Sequence, residues 1–344
     1  MVTIKEVAEK AGVSPSTVSR VISDSPRISE ETKAKVRKIM QELGYHPNAI
    51  ARSLVCRTTN TIGIVMPRAA EDVFLNPFFP EALRGIAKAT HEEGYCILIT
   101  TGNTDEEQLE SLNAVVNGGR VDGIIMMYSK IDDPILKAVK KMDIPFAMIG
   151  RPPKGESCDF VDNDNIDAAF NVTEHLIKMG HRRIGLINGS LNLVVSLDRF
   201  EGYKRALDKH NIEIDESIIV SSEFVQEGGY EGMKKILQSP NPPTAIITTD
   251  DLMAFGAIKA AREMGVKIPK NVSIMSFNNI PLSEFATPAL TSVEINAYTL
   301  GYEAAKIVID KVKGRCKQRI KKVLKTQIIY RESIAENINN KGGL

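Results

Sequence analysis

The sequence predicts an α/β protein: a small three-helix head, a short helical hinge, and a two-lobed body of parallel sheets. Three observations predict it. The first 46 residues hold three short runs of helical spacing with cap residues at their starts. From Thr61 onward, short apolar segments alternate with amphipathic helical patterns, as in a parallel sheet covered on both faces. That alternation is run through twice, each time over a length that suits one domain.

The chain has 344 residues, 43% apolar and 25% charged, with four Cys and no Trp. This composition excludes a disordered, collagen-like or disulfide-scaffold chain. The start, MVTIKEVAEK, is charged and lacks the apolar core of a secretory signal, and no run of about 18 apolar residues is present to span a bilayer. Cys56, Cys96, Cys158 and Cys316 show no CxxC or metal-ligand spacing, so reduced thiols and a cytoplasmic location are expected, with no membrane partner. Charge is unevenly spread. Residues 1–58 carry ten Lys/Arg against six Asp/Glu, a net +4, while the remainder is −3. A basic head on a mildly acidic body suits a chain whose one end meets a polyanion.

In the head, Thr3-Ile4-Lys5-Glu6 reads as a capping box, and Ile4, Val7, Ala8 and Ala11 keep helical spacing until Gly12 stops the helix. A turn leads to Ser14 as N-cap and Pro15 at the first helical position. Val18, Val21 and Ile22 then face inward and leave Ser16, Thr17, Ser19 and Arg20 outside. A third helix starts at Ser29 and buries Val36, Ile39, Met40 and Leu43 before Gly44. Two short helices with a tight turn, braced by a third, form a helix-turn-helix whose second helix enters a major groove. Its free N–H groups suit a phosphate, hydroxyls can bond base edges, and Arg20 can bond guanine through two N–H groups. The bland reading of the same residues is a three-helix bundle with a polar face.

Residues 47–58, His46-Pro47-Asn48 through Arg57 in context, give a helix too short to stand alone in water, with Ile50 and Leu54 on one edge. A symmetry mate and the DNA minor groove can support it, with Leu54 as an apolar wedge. The alternative is a linker whose Leu54 packs on its own domain. Thr3, Asn48 and Arg52 complete the candidate DNA contacts.

In the body, strands are expected at Ile62–Met66, near Tyr95–Thr101, Val121–Met127 and Ile144–Gly150, then at Arg183–Ile187, Ile218–Val220, Thr244–Thr248 and Val272–Phe277, with a first helix near Pro80–Glu93. Ligands of such folds sit at the carboxyl ends of strands, between lobes. Asn76, Phe78, Phe79, Asp162, Asp164, Asp250 and Asn278 fall at those ends. Carboxylates and amides with aromatic faces suit a sugar, whose hydroxyls need paired donors and acceptors and whose CH faces need a flat platform. Catalytic readings are weaker: GxSxG, HExxH, Walker and GxGxxG patterns are absent, and the five His lack ligand spacing. No catalytic residue, metal or cofactor is expected. The eight basic residues from Lys311 to Lys325 read as a solvated face of the last helix and its loop.

TIKEVAEKAGVSPSTVSRVIS, ISEETKAKVRKIMQELGYHPNAIARSLV, IGIVMP, GHRRIGLI, RFEGY, TTDDLMAFGAIKAA and YRES together resemble the LacI/GalR transcriptional regulators along nearly the whole chain. The resemblance implies a periplasmic-binding-protein-like core and a homodimer on a palindromic operator, with Leu54 as the minor-groove lever. It also implies base reading by Pro15, Ser16 and Arg20, and a small sugar effector held by Arg199, Phe224 and Asp250. One departure is that the strand-end position usually occupied by Asp is Asn278. The run SFNNIPLSEFATPALTSVEIN most resembles maltose-operon repressors of Gram-positive bacteria. The expected domains are 1–46, 47–58, a lobe of 59–161 plus about 293–322, and a lobe of 162–292 plus about 323–340. The expected activity is sugar-controlled repression. A ligand acting as corepressor or a phosphoprotein partner remains open; a carrier without a DNA role, or an enzyme, lacks a use for the basic head.

Overall fold

Each helix of the head begins on a side-chain oxygen. In the computed structural model, which describes residues 2–45, 58–67 and 73–337, α1 (Ile4–Ala11) opens with the full Thr3/Glu6 capping box and closes at Gly12 with φ 66°. Ser14 caps α2 (Pro15–Ile22), and Ser29 caps α3 (Glu30–Glu42). Val7, Ala8, Ala11, Val18, Val21, Val36 and Ile39 are buried together. Ile22, Met40 and Leu43 lie at the rim and are only partly buried. The head is a compact unit of its own.

The body opens with β1 (Thr61–Val65), α4 (Phe78–Glu92), β2 (Cys96–Thr100), α5 (Asp105–Val116), β3 (Gly123–Met126), α6 (Pro134–Val139), β4 (Phe146–Ile149) and β5 (Asp159–Asn163). There follow α7 (Asn165–Lys178), β6 (Ile184–Asn188), α8 (Val194–Lys209), β7 (Ile219–Ser221), α9 (Gln226–Leu237), β8 (Ala245–Thr248), α10 (Asp251–Glu263), β9 (Ser273–Asn278), α11 (Leu282–Phe285) and β10 (Thr291–Glu294). The chain ends through α12 (Ala297–Val312), β11 (Lys321–Leu324) and β12 (Gln327–Ile329).

Two six-stranded sheets result, ordered β11-β5-β4-β3-β1-β2 and β12-β10-β9-β8-β6-β7. The first is parallel throughout; in the second only β12 runs antiparallel, beside β10. Central strands are buried on both faces, which is why they read as unbroken apolar runs. Paired helices cross at facing glycines. A Cβ on Gly85 of α4 would lie 1.9 Å from the Tyr298 carbonyl, and one on Gly301 of α12 would lie 1.9 Å from that of Ala82.

Sheet membership moves the expected lobe boundaries. The chain leaves the first lobe after Asn163 rather than 161, returns after Glu294 rather than about 292, and leaves again after Leu324 rather than about 322. The basic stretch is likewise corrected, because Lys321–Leu324 is a strand paired with β5, not a loop. Several of its charges are bound internally: Lys311 to Asp159, Arg315 to Glu93 and Asp310, and Lys322 to Glu303.

Candidate functional site

A cavity of about 310 Å³ opens between the two lobes at the carboxyl ends of their strands. This is at the small end of ligand pockets. The first lobe contributes mainly apolar and aromatic groups, among them Val73, Phe78, Phe79, Met127, Tyr128 and Ile149. Phe78 and Phe79 meet edge to face with centroids 5.1 Å apart, and Phe78 packs on the cores of both lobes. The second lobe contributes Asn165, Arg199, Glu223, Asp250 and Asn278.

Asp250 ends the segment after β8 and caps α10, its Oδ1 accepting from the Leu252 N–H at 2.7 Å. Its other oxygen, Oδ2, accepts from Asn76 Nδ2 at 2.9 Å and Asn278 Nδ2 at 2.7 Å. Burial pushes the Asp250 carboxyl up to about 6, against the lowering pull of the Asn76 amide. Arg199 projects from α8 and is buried. Its Nε donates to Asn165 Oδ1 at 3.0 Å, and its guanidinium lies 4.3 Å above the Phe277 ring. Burial lowers it to about 10, opposed chiefly by the Asp250 charge. Asp162, on β5, accepts from the Arg151 and Asn163 N–H groups at 2.8 and 2.7 Å and from Asn165 Nδ2 at 3.0 Å. Burial also raises it to about 6.

The lobes are tied at the cavity wall. Asn76 of the first lobe reaches Asp250 of the second. Ile131 N–H donates to the Asn192 carbonyl at 2.9 Å and Val194 N–H to that of Ser129 at 3.0 Å, forming an antiparallel bridge between Lys130 and Leu193. Arg151, after β4, forms an ion pair with Asp198 of α8.

Of the cleft residues expected from sequence, Asn76, Phe78, Phe79, Asp162, Arg199, Phe224, Asp250 and Asn278 all line the cavity. Asp164 does not. It is exposed, and its Oδ1 accepts from the Asp167 N–H at 2.9 Å as the cap of α7, because the strand ends at Asn163 and the helix begins at once. Lys130, Asn165, Asn192 and Glu223 also line the cavity and were not expected there. Asn165 is the first residue of α7, where the turn of the helix brings its side chain to the cavity.

In the head, Ser14 Oγ bonds the Thr17 N–H at 3.1 Å and lies within 2.7 Å of Ser16 Oγ. Thr3 is occupied in its capping box. Pro15, Ser16 and Arg20 are exposed along α2, while Thr17 and Ser19 are partly buried. Asn48, Arg52 and Leu54 lie outside the described residues. Among the described residues, no group of three or more His, Cys, Asp or Glu could hold a metal ion, and no helix is long and apolar enough to cross a membrane.

Residues 3–48 match the profile of the bacterial regulatory proteins of the lacI family, and residues 173–334 match the periplasmic binding protein-like domain. Over 342 residues, 99% of both chains, the sequence is 39% identical to the HTH-type transcriptional regulator MalR of Streptococcus pneumoniae serotype 4 (strain ATCC BAA-334 / TIGR4). The chain belongs to the LacI family of bacterial regulatory proteins. This LacI-family protein is therefore a DNA-binding transcriptional regulator with an effector-binding domain, and not an enzyme. Its fold also matches the solved complex of the transcriptional regulator CelR with cellobiose, with TM-score 0.76 and 31% identity over 97% of this chain and 100% of that one. The lac repressor dimer bound to operator and the anti-inducer ONPF shares the fold with TM-score 0.84 at 22% identity, over 97% of this chain and 99% of that one.

Proposed function

We propose that this regulator is a cytoplasmic homodimeric repressor that grips a palindromic operator with two heads and releases it when a neutral sugar fills the cleft. Maltose is the first candidate. The observation that carries the sugar reading is the composition of the cavity wall. Paired carboxylates, amides and one buried guanidinium face aromatic rings, which suits hydroxyls on one side and CH faces on the other. The lining holds Asp162, Glu223 and Asp250 against Arg199 and Lys130, and Lys130 is engaged by Asp105 at 3.0 Å. That balance disfavours an anionic ligand. The names of the MalR relative and of the CelR–cellobiose complex support the sugar reading.

Pairing of two bodies is supported by apolar side chains in the open. Ile97 and Ile99 are exposed on β2, the edge strand of the first sheet, and Phe285 on α11 is 77% exposed. An unpaired edge with apolar residues invites a second copy. The hinge segment 47–58, with Asn48, Arg52 and Leu54, keeps the minor-groove role read from its sequence. Sugar binding draws the lobes together, shifts the paired heads and lowers operator affinity; by linkage, operator lowers sugar affinity by the same factor.

A thermal-shift series on the intact chain tests the ligand class. Maltose or cellobiose at a hundred times Kd adds about 2.7 kcal/mol, read as a rise of several degrees. A rise with glucose 6-phosphate and none with any neutral sugar contradicts the proposal. For the head, Arg20→Ala costs about 1–3 kcal/mol on a palindrome selected from a random pool and relaxes one base position. Equal weakening on every duplex would assign Arg20 to a phosphate.

A further inference from the structure

The chain passes between the lobes three times, after β5, after β10 and between β11 and β12. One side chain touches all three passages. Asn163, the last residue of β5, donates from Nδ2 to the carbonyl of Ile295 at 3.2 Å and to that of Leu324 at 3.3 Å. Ile295 follows β10 directly, and Leu324 ends β11. We propose that Asn163 is a positioning residue that clasps the three crossings into one hinge, fixing the axis and rest angle of lobe closure. This inference rests on the reading that the lobes move with effector.

The chemistry selects an amide. A primary amide nitrogen has two N–H donors, and the two carbonyls use both. Two converging carbonyls also fix which way the amide faces, since the opposite orientation would set its oxygen against theirs. A carboxylate of the same shape would repel both carbonyls, and an alkyl group would leave them without this donor. The clasp is held from the effector side too. Asp162 Oδ1 accepts the Asn163 backbone N–H at 2.7 Å, and Asn165 Nδ2 donates to the Asn163 carbonyl at 3.3 Å. Asn165 in turn accepts from Arg199 at 3.0 Å. Asn163, Asp162, Asn165 and Arg199 all line the cavity. A ligand that pulls on Arg199 or Asp162 therefore pulls on neighbours of the clasp.

The test places a fluorophore pair at Lys141 in the first lobe and Lys235 in the second, both exposed, in full-length chain diluted into unlabelled protein. Wild type should show one narrow lobe spacing without ligand. Asn163→Ala and Asn163→Asp should each add a broad population at longer spacing while the protein stays folded. A merely structural residue would lower the melting temperature and leave the spacing of the folded protein unchanged; that result overturns the clasp. Should neither variant fold, hydrogen exchange on wild type decides. The crossings near 163, 295 and 324 should then open together as one protected unit, and independent fast exchange would overturn the proposal. Maltose separates the two layers of argument. If it moves the wild-type spacing while the variants match wild type, the clasp fails and the effector reading stands. If the variants open but no neutral sugar moves the wild type, the clasp stands and the effector reading fails.

Discussion

The two lobes share a strand order yet bring opposite chemistry to the cleft. Both sheets run terminal-5-4-3-1-2 when each is numbered from its own first strand. The first lobe offers chiefly rings and alkyl groups, with Asp162 near the crossing, whereas the second concentrates Arg199, Glu223, Asp250 and Asn278. Burying a guanidinium and a carboxylate is costly unless both are bonded, and the second lobe satisfies them largely by itself, through Asn165, Asn278 and the Leu252 N–H. The second lobe is thus the preorganised half, which orients hydroxyls. The first is a lid that adds mainly apolar contact, and its amide Asn76 reaches across to Asp250.

Substitutions in the two lobes should therefore differ in size. Arg199→Ala should have the largest effect, about 2–5 kcal/mol of maltose affinity by calorimetry, because it strips a buried hydrogen-bonded charge from the orienting half. An unchanged affinity would remove Arg199 from the ligand contacts.

Asp250→Asn gives a smaller effect with a defined pH signature. The Asp250 carboxyl rises from an ordinary 3.8 to about 6 in the folded protein. The folded state thus keeps a proton that the unfolded chain has lost. Its stabilising contribution is complete below about pH 4 and disappears as pH rises through 6. The melting temperature of wild type minus that of Asp250→Asn should fall between pH 4 and 7. Asp162, displaced in the same direction, is present in both proteins and cancels in that difference. A flat or rising difference would contradict the buried carboxylate.

Asn76→Ala tests the lid and should cost least, about 1 kcal/mol in maltose affinity, since Asp250 keeps its Asn278 and Leu252 partners. Equality with Arg199→Ala would erase the distinction between the lobes.

The architecture was legible because local rules and tertiary packing agree. Caps at Thr3, Ser14 and Ser29 fixed the head, and doubly buried strands such as Gly123–Met126 could only be central. What was missed depends on long-range placement. Lys321–Leu324 alternates between exposed and partly buried residues with no buried one, so nothing local marked a strand that exists because β5 offers it an edge. Asp162 and Asp164 look alike in sequence, two residues apart. The strand ends between them, at Asn163, which leaves one on the cavity wall and makes the other the cap of the helix that starts at Asn165. The meeting of Asn163 with Ile295 and Leu324 spans more than 130 residues of chain and carries no periodicity at all.

The central claim is that occupancy of the cleft changes the grip of the head. It is tested most directly by titrating the intact protein onto a selected palindromic duplex at fixed salt, with and without saturating maltose, beside Arg199→Ala. The account predicts operator affinity at least tenfold weaker with maltose in wild type, and no change in Arg199→Ala. Operator affinity that stays the same in wild type with the cleft demonstrably filled, or tightens instead, would contradict it.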